Sequence, residues 1–105
     1  MRLPLIKARD LLKFLEWLGF KPVRMKGSHV RLKAEDGRVT TVPIHGNKEI
    51  PRGLLRKIIR EDLQMGLEEF VEKYNEFKRI VIAAWIEANV TLKIAKAMLN
   101  STKGV

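Results

Sequence analysis

Apolar residues in the first part of the chain recur with the period of a helix. A helix is predicted over Lys7–Leu18, because its large apolar residues share one face: Leu11, Leu12, Phe14, Leu15 and Leu18. Gly19 suits the position just after the last helical turn, and Pro22 prevents the helix from continuing. The pattern then changes to alternation. Val23 and Met25 alternate with basic residues, which predicts a short strand followed by a turn at Gly27.

Two further strands, Ser28–Ala34 and Arg38–Ile44, are predicted to form a hairpin, and its register has two solutions. A two-residue turn at Asp36-Gly37 would set His29 opposite Ile44 and Arg31 opposite Val42, which mixes charged and apolar residues on one face. A three-residue loop with Gly37 in the left-handed conformation sets Val30 opposite Val42 and Leu32 opposite Thr40. The second register keeps one face apolar, so we predict it.

The other face of the predicted sheet is basic. It carries Arg24, Lys26, His29, Arg31, Lys33 and Thr41, with His45 at the end of the neighbouring strand. Pro51 then suits the start of a second helix, whose apolar residues face inward while Arg52, Arg56, Lys57 and Arg60 lie outside. The predicted order is α-β-β-β-α, an α+β fold. Two amphipathic helices should cover the apolar sheet face and leave the basic face open.

The C-terminal part is predicted to be helical. One helix should run from Leu67 to Ala88 along an apolar seam (Leu67, Phe70, Tyr74, Phe77, Val81, Ala84, Ala88), and Thr91–Asn100 reads as a final short helix. Ile80–Ile86 is apolar on nearly all sides and needs cover. The short helix could pack over it, or two chains could form a homodimer through the seam. We divide the chain into a domain of residues 1–72 and a helical extension of residues 73–105.

The charge distribution indicates a polyanionic partner. The net charge is +9, and residues 1–62 carry 15 Lys and Arg against 7 Asp and Glu. A positive field confined to one part of the chain is typical of a surface that meets RNA or DNA, with an acidic protein as the second candidate. The chain has no Cys, and its start lacks the apolar run of a signal peptide. No apolar run is long enough to cross a membrane. We therefore expect a cytoplasmic protein.

His29 is the sharpest candidate for chemistry. An imidazole can accept and return a proton near neutral pH, as cleavage of RNA at its 2′-hydroxyl requires. Neighbouring cations can stabilise the negative charge that develops on the phosphate. The alternative is an exposed histidine that only helps to bind phosphate. His45 could pair with His29 or be coincidental, and two histidines without adjacent carboxylates do not predict a metal site.

The motifs along this path resemble those of the HicA toxins of HicA–HicB toxin–antitoxin pairs. The resemblance covers about residues 3–72 and rests on Gly19-Phe20, Arg24-x-Lys26-Gly27-Ser28-His29, Val42-Pro43-x-His45-Gly46 and Glu49-Ile50-x-x-Gly53-x-Leu55-x-x-Ile58. The C-terminal extension departs from the family pattern, because HicA domains usually stop soon after the position of Phe70.

The resemblance implies a double-stranded-RNA-binding-like fold with a three-stranded antiparallel sheet. It also implies an mRNA interferase with His29 as its single catalytic histidine and a HicB-like antitoxin as partner. We expect no cofactor, and no metal is needed if the 2′-hydroxyl of the RNA is the nucleophile. The candidate RNA-binding residues are Arg24, Lys26, Ser28, Arg31, Lys33, His45, Lys48, Arg52 and Arg56. The competing interpretation is a non-catalytic module that binds RNA or an acidic partner through the same face.

Overall fold

A computed structural model describes residues 2–103. Met1, at the start of the predicted domain, and Gly104 and Val105, at the end of the predicted extension, lie outside the described residues. The chain folds in the predicted α-β-β-β-α order with a C-terminal helix. The elements are α1 (Ala8–Trp17), β1 (Lys21–Lys26), β2 (His29–Lys33), β3 (Val39–Pro43), α2 (Arg52–Lys57), a π-helical segment (Ile58–Asp62) and α3 (Leu67–Lys103). The fold is α+β. It separates into two compact units, Met1–Tyr74 and Asn75–Val105.

The three strands form one antiparallel sheet in the order β1-β2-β3. The predicted hairpin register is confirmed, because Val30 pairs with Val42 and Leu32 pairs with Thr40. Burial alternates along β2, where Val30 and Leu32 are buried while the flanking residues are exposed. The apolar face of β2 and β3 is thus covered and the basic face of β2 is open, as the alternation predicted. β1 is exposed along its whole length, including its apolar residues Val23 and Met25.

The loop between β2 and β3 has the three-residue form. Gly37 has a φ of +96°, and its N–H donates to the carbonyl of Ala34 at 3.0 Å. The Asp36 carboxylate accepts hydrogen bonds from the backbone N–H of Arg38 at 3.0 Å and from its Nε at 2.8 Å. The bond from the Arg38 backbone holds the pKa of Asp36 below its ordinary value. A left-handed glycine and a bonded aspartate therefore fix the register of the hairpin.

Aromatic rings connect α1 to the start of α3 within the first compact unit. Phe14 is fully buried, and its ring centroid lies 5.2 Å from those of Phe70 and of Tyr74, edge to face in both cases. This geometry is favourable for aromatic pairs and adds to the gain from burying their area. The first two turns of α3 are therefore part of the domain core.

The second helix covers the sheet with a widened final turn. Leu55, Ile58 and Ile59 are buried, in line with the inward face that the sequence predicted. In the π-helical segment the N–H of Leu63 donates to the carbonyl of Ile58 at 2.9 Å, five residues back. Asp62, at the end of this segment, accepts a hydrogen bond of 2.8 Å from the buried hydroxyl of Thr40. The end of the helix is thereby attached to the start of β3.

The prediction of two helices in the C-terminal part is wrong. α3 is continuous from Leu67 to Lys103, so Thr91–Asn100 belongs to the same helix and does not pack over it. The physical reason is that no glycine or proline occurs between Ala88 and Lys103 to end the helix. Large apolar side chains of the second unit are exposed, among them Val81, Trp85 and Leu92. Within the described residues, no helix combines the length and the apolar character that a membrane crossing requires.

Candidate functional site

A tight turn places His29 at the first position of β2. Gly27 and Ser28 are the two central residues of the turn between β1 and β2, and Gly27 has a φ of +58°. Glycine at the first central position is the arrangement of a type II′ hairpin turn. The carbonyl of Ser28 accepts a hydrogen bond of 2.7 Å from the N–H of Ile44, just beyond β3. The backbone around His29 is thus held from both neighbouring strands.

Cations surround His29 on the open face of the sheet. Across β1 and β2, Lys26 pairs with His29 and Arg24 pairs with Arg31. Directly opposite residues of an antiparallel pair project from the same face, and all four side chains are exposed. The two-residue turn sets this pairing. An irregularity between Pro22 and Arg24 then shifts the register of β1, so that Lys21 lies opposite Lys33 at the far end of the strand pair.

A groove of about 360 Å³ lies between the open sheet face and α2. From the sheet it is lined by His29, Arg31, Val39, Thr40, Thr41 and Pro43, and from the helix by Leu54, Lys57, Ile58 and Asp62. His29 pairs with Pro43, and Arg31 pairs with Thr41, so both basic side chains lie on the strand next to one wall of the groove. The imidazole therefore stands at the border of a concave site and a basic surface.

The structure brings together only some of the predicted site residues. His29 and Arg31 line the groove, and Arg24, Lys26 and Lys33 lie on the same sheet face beside it. Ser28, His45 and Lys48 lie in the turn before β2 and in the loop after β3, and none of them lines the groove. Their contacts with RNA stay predictions.

Two arginines of α2 also lie outside the groove lining. Arg56 is half-buried, and Arg52 donates from its Nε to the carbonyl of Leu3 at 2.9 Å. Arg52 therefore secures the N-terminal segment as well as carrying charge. The guanidinium group has further N–H donors, so a role in RNA binding stays a prediction for both residues.

The sequence did not reveal the helix wall of the groove. Lys57 was assigned to an outer basic face of the second helix, yet it lines the groove beside Leu54. Asp62 was not singled out, although it lines the groove and accepts the hydroxyl of Thr40. The only signal was the spacing of Leu54, Ile58 and Asp62 at intervals of four, which places them on one helical face.

The charges of the site suit an anion at one end. His29, Arg31 and Lys57 supply imidazole, guanidinium and ammonium groups, and their geometry allows electrostatic stabilisation of a phosphate together with proton transfer. In the described part of the chain, no group of three or more His, Asp or Glu side chains is placed to hold a metal ion. The chemistry that His29, Arg31 and Lys57 can supply is acid–base and electrostatic.

Comparison with known proteins identifies the family. The family model described as the HicA toxin of bacterial toxin–antitoxin systems matches residues 8–63, slightly more than half of the 105 residues. The match extends from α1 through the π-helical segment and includes all residues that line the groove. A search of curated proteins finds no match. The span of the family match and the motifs around His29 establish that the chain belongs to the HicA toxin family.

Proposed function

We propose that this HicA-family toxin is a metal-independent endoribonuclease and that His29 is its catalytic residue. The observation that carries the proposal is the position of His29, where a groove and a basic sheet face meet. RNA lies across the basic face, and one phosphodiester reaches the imidazole. The 2′-hydroxyl of the RNA is then the nucleophile, so the reaction has no need for a metal-activated water.

The proton transfers determine what His29 has to do. The 2′-oxygen loses its proton as it bonds to phosphorus, the bond from phosphorus to the 5′-oxygen breaks, and the leaving 5′-oxygen gains a proton. His29 supplies one of these two transfers, and its neighbours Lys26 and Arg31 hold the phosphate and neutralise its added charge. Lys33, four residues along β2, binds a neighbouring part of the RNA backbone. The products are a 2′,3′-cyclic phosphate and a free 5′-hydroxyl.

A cleavage assay in EDTA tests this proposal. His29→Ala should lower the cleavage rate at saturating RNA at least about 100-fold, because general acid–base catalysis contributes that much or more. The side chain is exposed, so the free energy of unfolding should change by less than about 0.5 kcal/mol. His45→Ala is the matched comparison, and it should weaken RNA affinity without a comparable loss of rate on bound RNA.

The outcomes separate the proposal from its rival. Undiminished cleavage by folded His29→Ala protein would remove His29 from the chemistry. Tight RNA binding by the wild-type protein without any cleavage would favour the non-catalytic RNA-binding module. Loss of cleavage after addition of EDTA to the wild-type protein would contradict the metal-independent mechanism.

The same face is the proposed docking surface of a HicB-like antitoxin. Membership of the HicA toxin family supports such a partner, and the basic surface around His29 is complementary to an acidic protein. Binding there would exclude RNA from the groove and inhibit cleavage. Hydrogen exchange in the complex should then show protection of β2, and protection confined to other elements would contradict this site.

A homodimer through α3 is the proposed role of the extension, which we place at residues 73–105. Val81, Trp85, Ala88, Leu92 and Ala95 repeat in steps of four and three, the spacing of a coiled-coil seam, and all five are exposed. A stable interface buries about 800 Å² on each partner, and large apolar side chains contribute roughly 100 Å² each. With the other exposed apolar residues of this segment, α3 offers surface on that scale.

Sedimentation of full-length variants tests the homodimer. Glutamate at both Trp85 and Leu92 places charges in the seam and should shift a dimer to a monomer. Glutamate at both Asn89 and Thr91, which lie beside the seam, is the matched control and should leave the dimer intact. A monomeric wild-type protein at micromolar concentration would exclude the homodimer.

A further inference from the structure

The groove has two chemically different ends. The last residues of the second helix contact the start of β3, because Arg38 donates to the carbonyl of Leu63 at 2.6 Å and Thr40 donates to Asp62. Since the chain leaves β3 at its other end and enters α2 after a loop, the helix runs antiparallel to β3. Pro43, beside His29, thus marks one end of the groove, and Asp62 marks the other.

The length of the groove follows from both of its walls. From Val39 to Pro43 a strand advances about 13 Å at 3.3 Å per residue. From Leu54 to Asp62 a helix advances about 12 Å at 1.5 Å per residue. The lengths of the two walls agree. A groove of this length and of about 360 Å³ matches a ligand of nucleotide size.

Electrostatics fixes the direction in which a nucleotide can lie. The carboxylate of Asp62 repels a phosphate, whereas His29 attracts one at the opposite end, and Arg31 lies opposite Thr41 in the middle of the groove. Lys33 lies opposite Val39, at the Asp62 end, but it does not line the groove. Along the two walls, Val39, Leu54 and Ile58 contribute apolar atoms that can contact the face of a base. A nucleotide with its phosphate at His29 therefore directs an edge of its base toward Asp62.

Asp62 is held in place to accept hydrogen bonds. One carboxylate oxygen accepts the Thr40 hydroxyl at 2.8 Å, and Thr40 is buried, so this bond restricts the orientation of the carboxylate. An ionised carboxylate has capacity for further donors and donates none itself. It can accept an exocyclic amino group, whereas a carbonyl oxygen at the same place would be repelled.

We propose that the groove is a pocket for a single nucleotide and that Asp62 selects a base with an exocyclic amino group over uracil. The inference rests on the proposed function for the placement of the phosphate at His29. Asp62 is a specificity-determining residue in this proposal and takes no part in the proton transfers. A well-matched hydrogen-bonded pair between a side chain and a base edge favours the correct base over a wrong one by about 1–3 kcal/mol, which corresponds to a roughly 5- to 150-fold difference in affinity.

Nucleotide binding and cleavage preference test the proposal with the full chain. In the wild-type protein, 3′-CMP should bind about tenfold more tightly than 3′-UMP in an NMR titration. Asp62→Asn keeps an acceptor for Thr40 but adds an amide donor that suits a carbonyl, so the ratio should fall below about threefold. The distribution of cleavage sites in a random RNA pool should lose its discrimination against uracil in parallel.

Thr40→Val is the control for a purely structural role of Asp62. This variant removes the hydroxyl that orients the carboxylate but keeps the acceptor, so it should lower stability by about 1 kcal/mol and keep more of the preference for 3′-CMP than Asp62→Asn does. Equal loss of preference in both variants, or an unchanged preference in Asp62→Asn, would overturn the assignment.

The two proposals fail separately. RNA cleavage without discrimination against uracil would overturn the pocket proposal and leave the endoribonuclease intact. The expected preference between 3′-CMP and 3′-UMP without RNA cleavage would support the pocket and overturn the proposed reaction.

Discussion

Arg38 connects three parts of the domain, and its replacement should destabilise the fold measurably. Its Nε donates to Asp36 at 2.8 Å and its Nη1 donates to the carbonyl of Leu63 at 2.6 Å. Its guanidinium carbon lies 5.3 Å from the centroid of the Phe20 ring. The residue thereby joins the hairpin loop, the end of the second helix and the segment after α1. Arg38→Met removes all three polar contacts and keeps an apolar stem.

The size of the expected loss of stability in Arg38→Met follows from the burial of each contact. The pair with Asp36 is largely solvated, with side chains 27% and 55% exposed, so it contributes at most about 1 kcal/mol. The charge-assisted bond to the part-buried carbonyl of Leu63 is worth about 1.5–3 kcal/mol. The contact with Phe20 adds about 0.5–1 kcal/mol. Because contributions within one cluster do not add fully, we expect Arg38→Met to lower the free energy of unfolding by about 2–3 kcal/mol.

Urea unfolding followed by tryptophan fluorescence measures this change. The chain has two tryptophans, so a Trp85→Phe background leaves Trp17, which stacks on Phe14 with ring centroids 5.9 Å apart, as the reporter of the first unit. Arg38→Lys keeps the charge but not the planar fork, so it should recover less than half of the loss.

Lys33→Met is the matched control for Arg38→Met, because the same replacement is made at an exposed strand position. It should change the free energy of unfolding by less than about 0.5 kcal/mol. A loss below about 0.5 kcal/mol in Arg38→Met, or full stability in Arg38→Lys, would refute the argument from these contacts.

Three further predictions follow from the sheet and its loop. RNA affinity should fall steeply with salt, and Arg31→Glu or Lys33→Glu should weaken binding more than Lys96→Glu in α3; equal effects would contradict a binding face on the sheet. Folding lowers the pKa of Asp36, so the ionised carboxylate stabilises the fold at neutral pH, and this contribution is lost as the pH falls below about 4. Acid unfolding of Asp36→Asn should therefore show a shallower pH dependence than that of the wild-type protein. Gly37→Ala should cost about 1 kcal/mol in urea unfolding because φ is +96°, and a neutral effect would show that the loop adapts.

The hairpin could be predicted from the sequence because local and tertiary requirements agree there. The left-handed Gly37 and the alternation of Val30 and Leu32 select the same register. A shift of this register by one residue would have exposed the apolar side chains of the strand. The C-terminal helix shows the opposite case. The seam that begins at Leu67 reaches the polar Thr91 after Ala88, and the sequence therefore indicated a break there, although Leu92 and Ala95 continue an apolar seam through Trp85. Continuous helical propensity without glycine or proline outweighed the loss of periodicity.

The helix wall of the groove could not be predicted because it depends on how two distant elements pack. The chain separates Thr40 from Asp62 by 22 positions, and their hydrogen bond, with that from Arg38 to Leu63, shows that the end of the helix lies at the start of β3. A strand pattern can identify the face that carries His29, but it cannot tell which helical residues stand beside that face. Lys57 is exposed, as the charge pattern indicates, but its place in the groove lining could not be predicted from that pattern.

The groove wall bears on the proposed difference in role between His29 and the cations beside it. Arg24 and Lys26 lie where the sheet is open, so they can contact the backbone of any RNA that crosses the face. His29 lines the groove together with Leu54 and Lys57, and we propose that a nucleotide must leave its stack to enter there. In this proposal the sheet supplies affinity that depends little on sequence, and the groove restricts the chemistry to one nucleotide at a time. A single histidine then suffices, because the proposed site has only one phosphodiester to position.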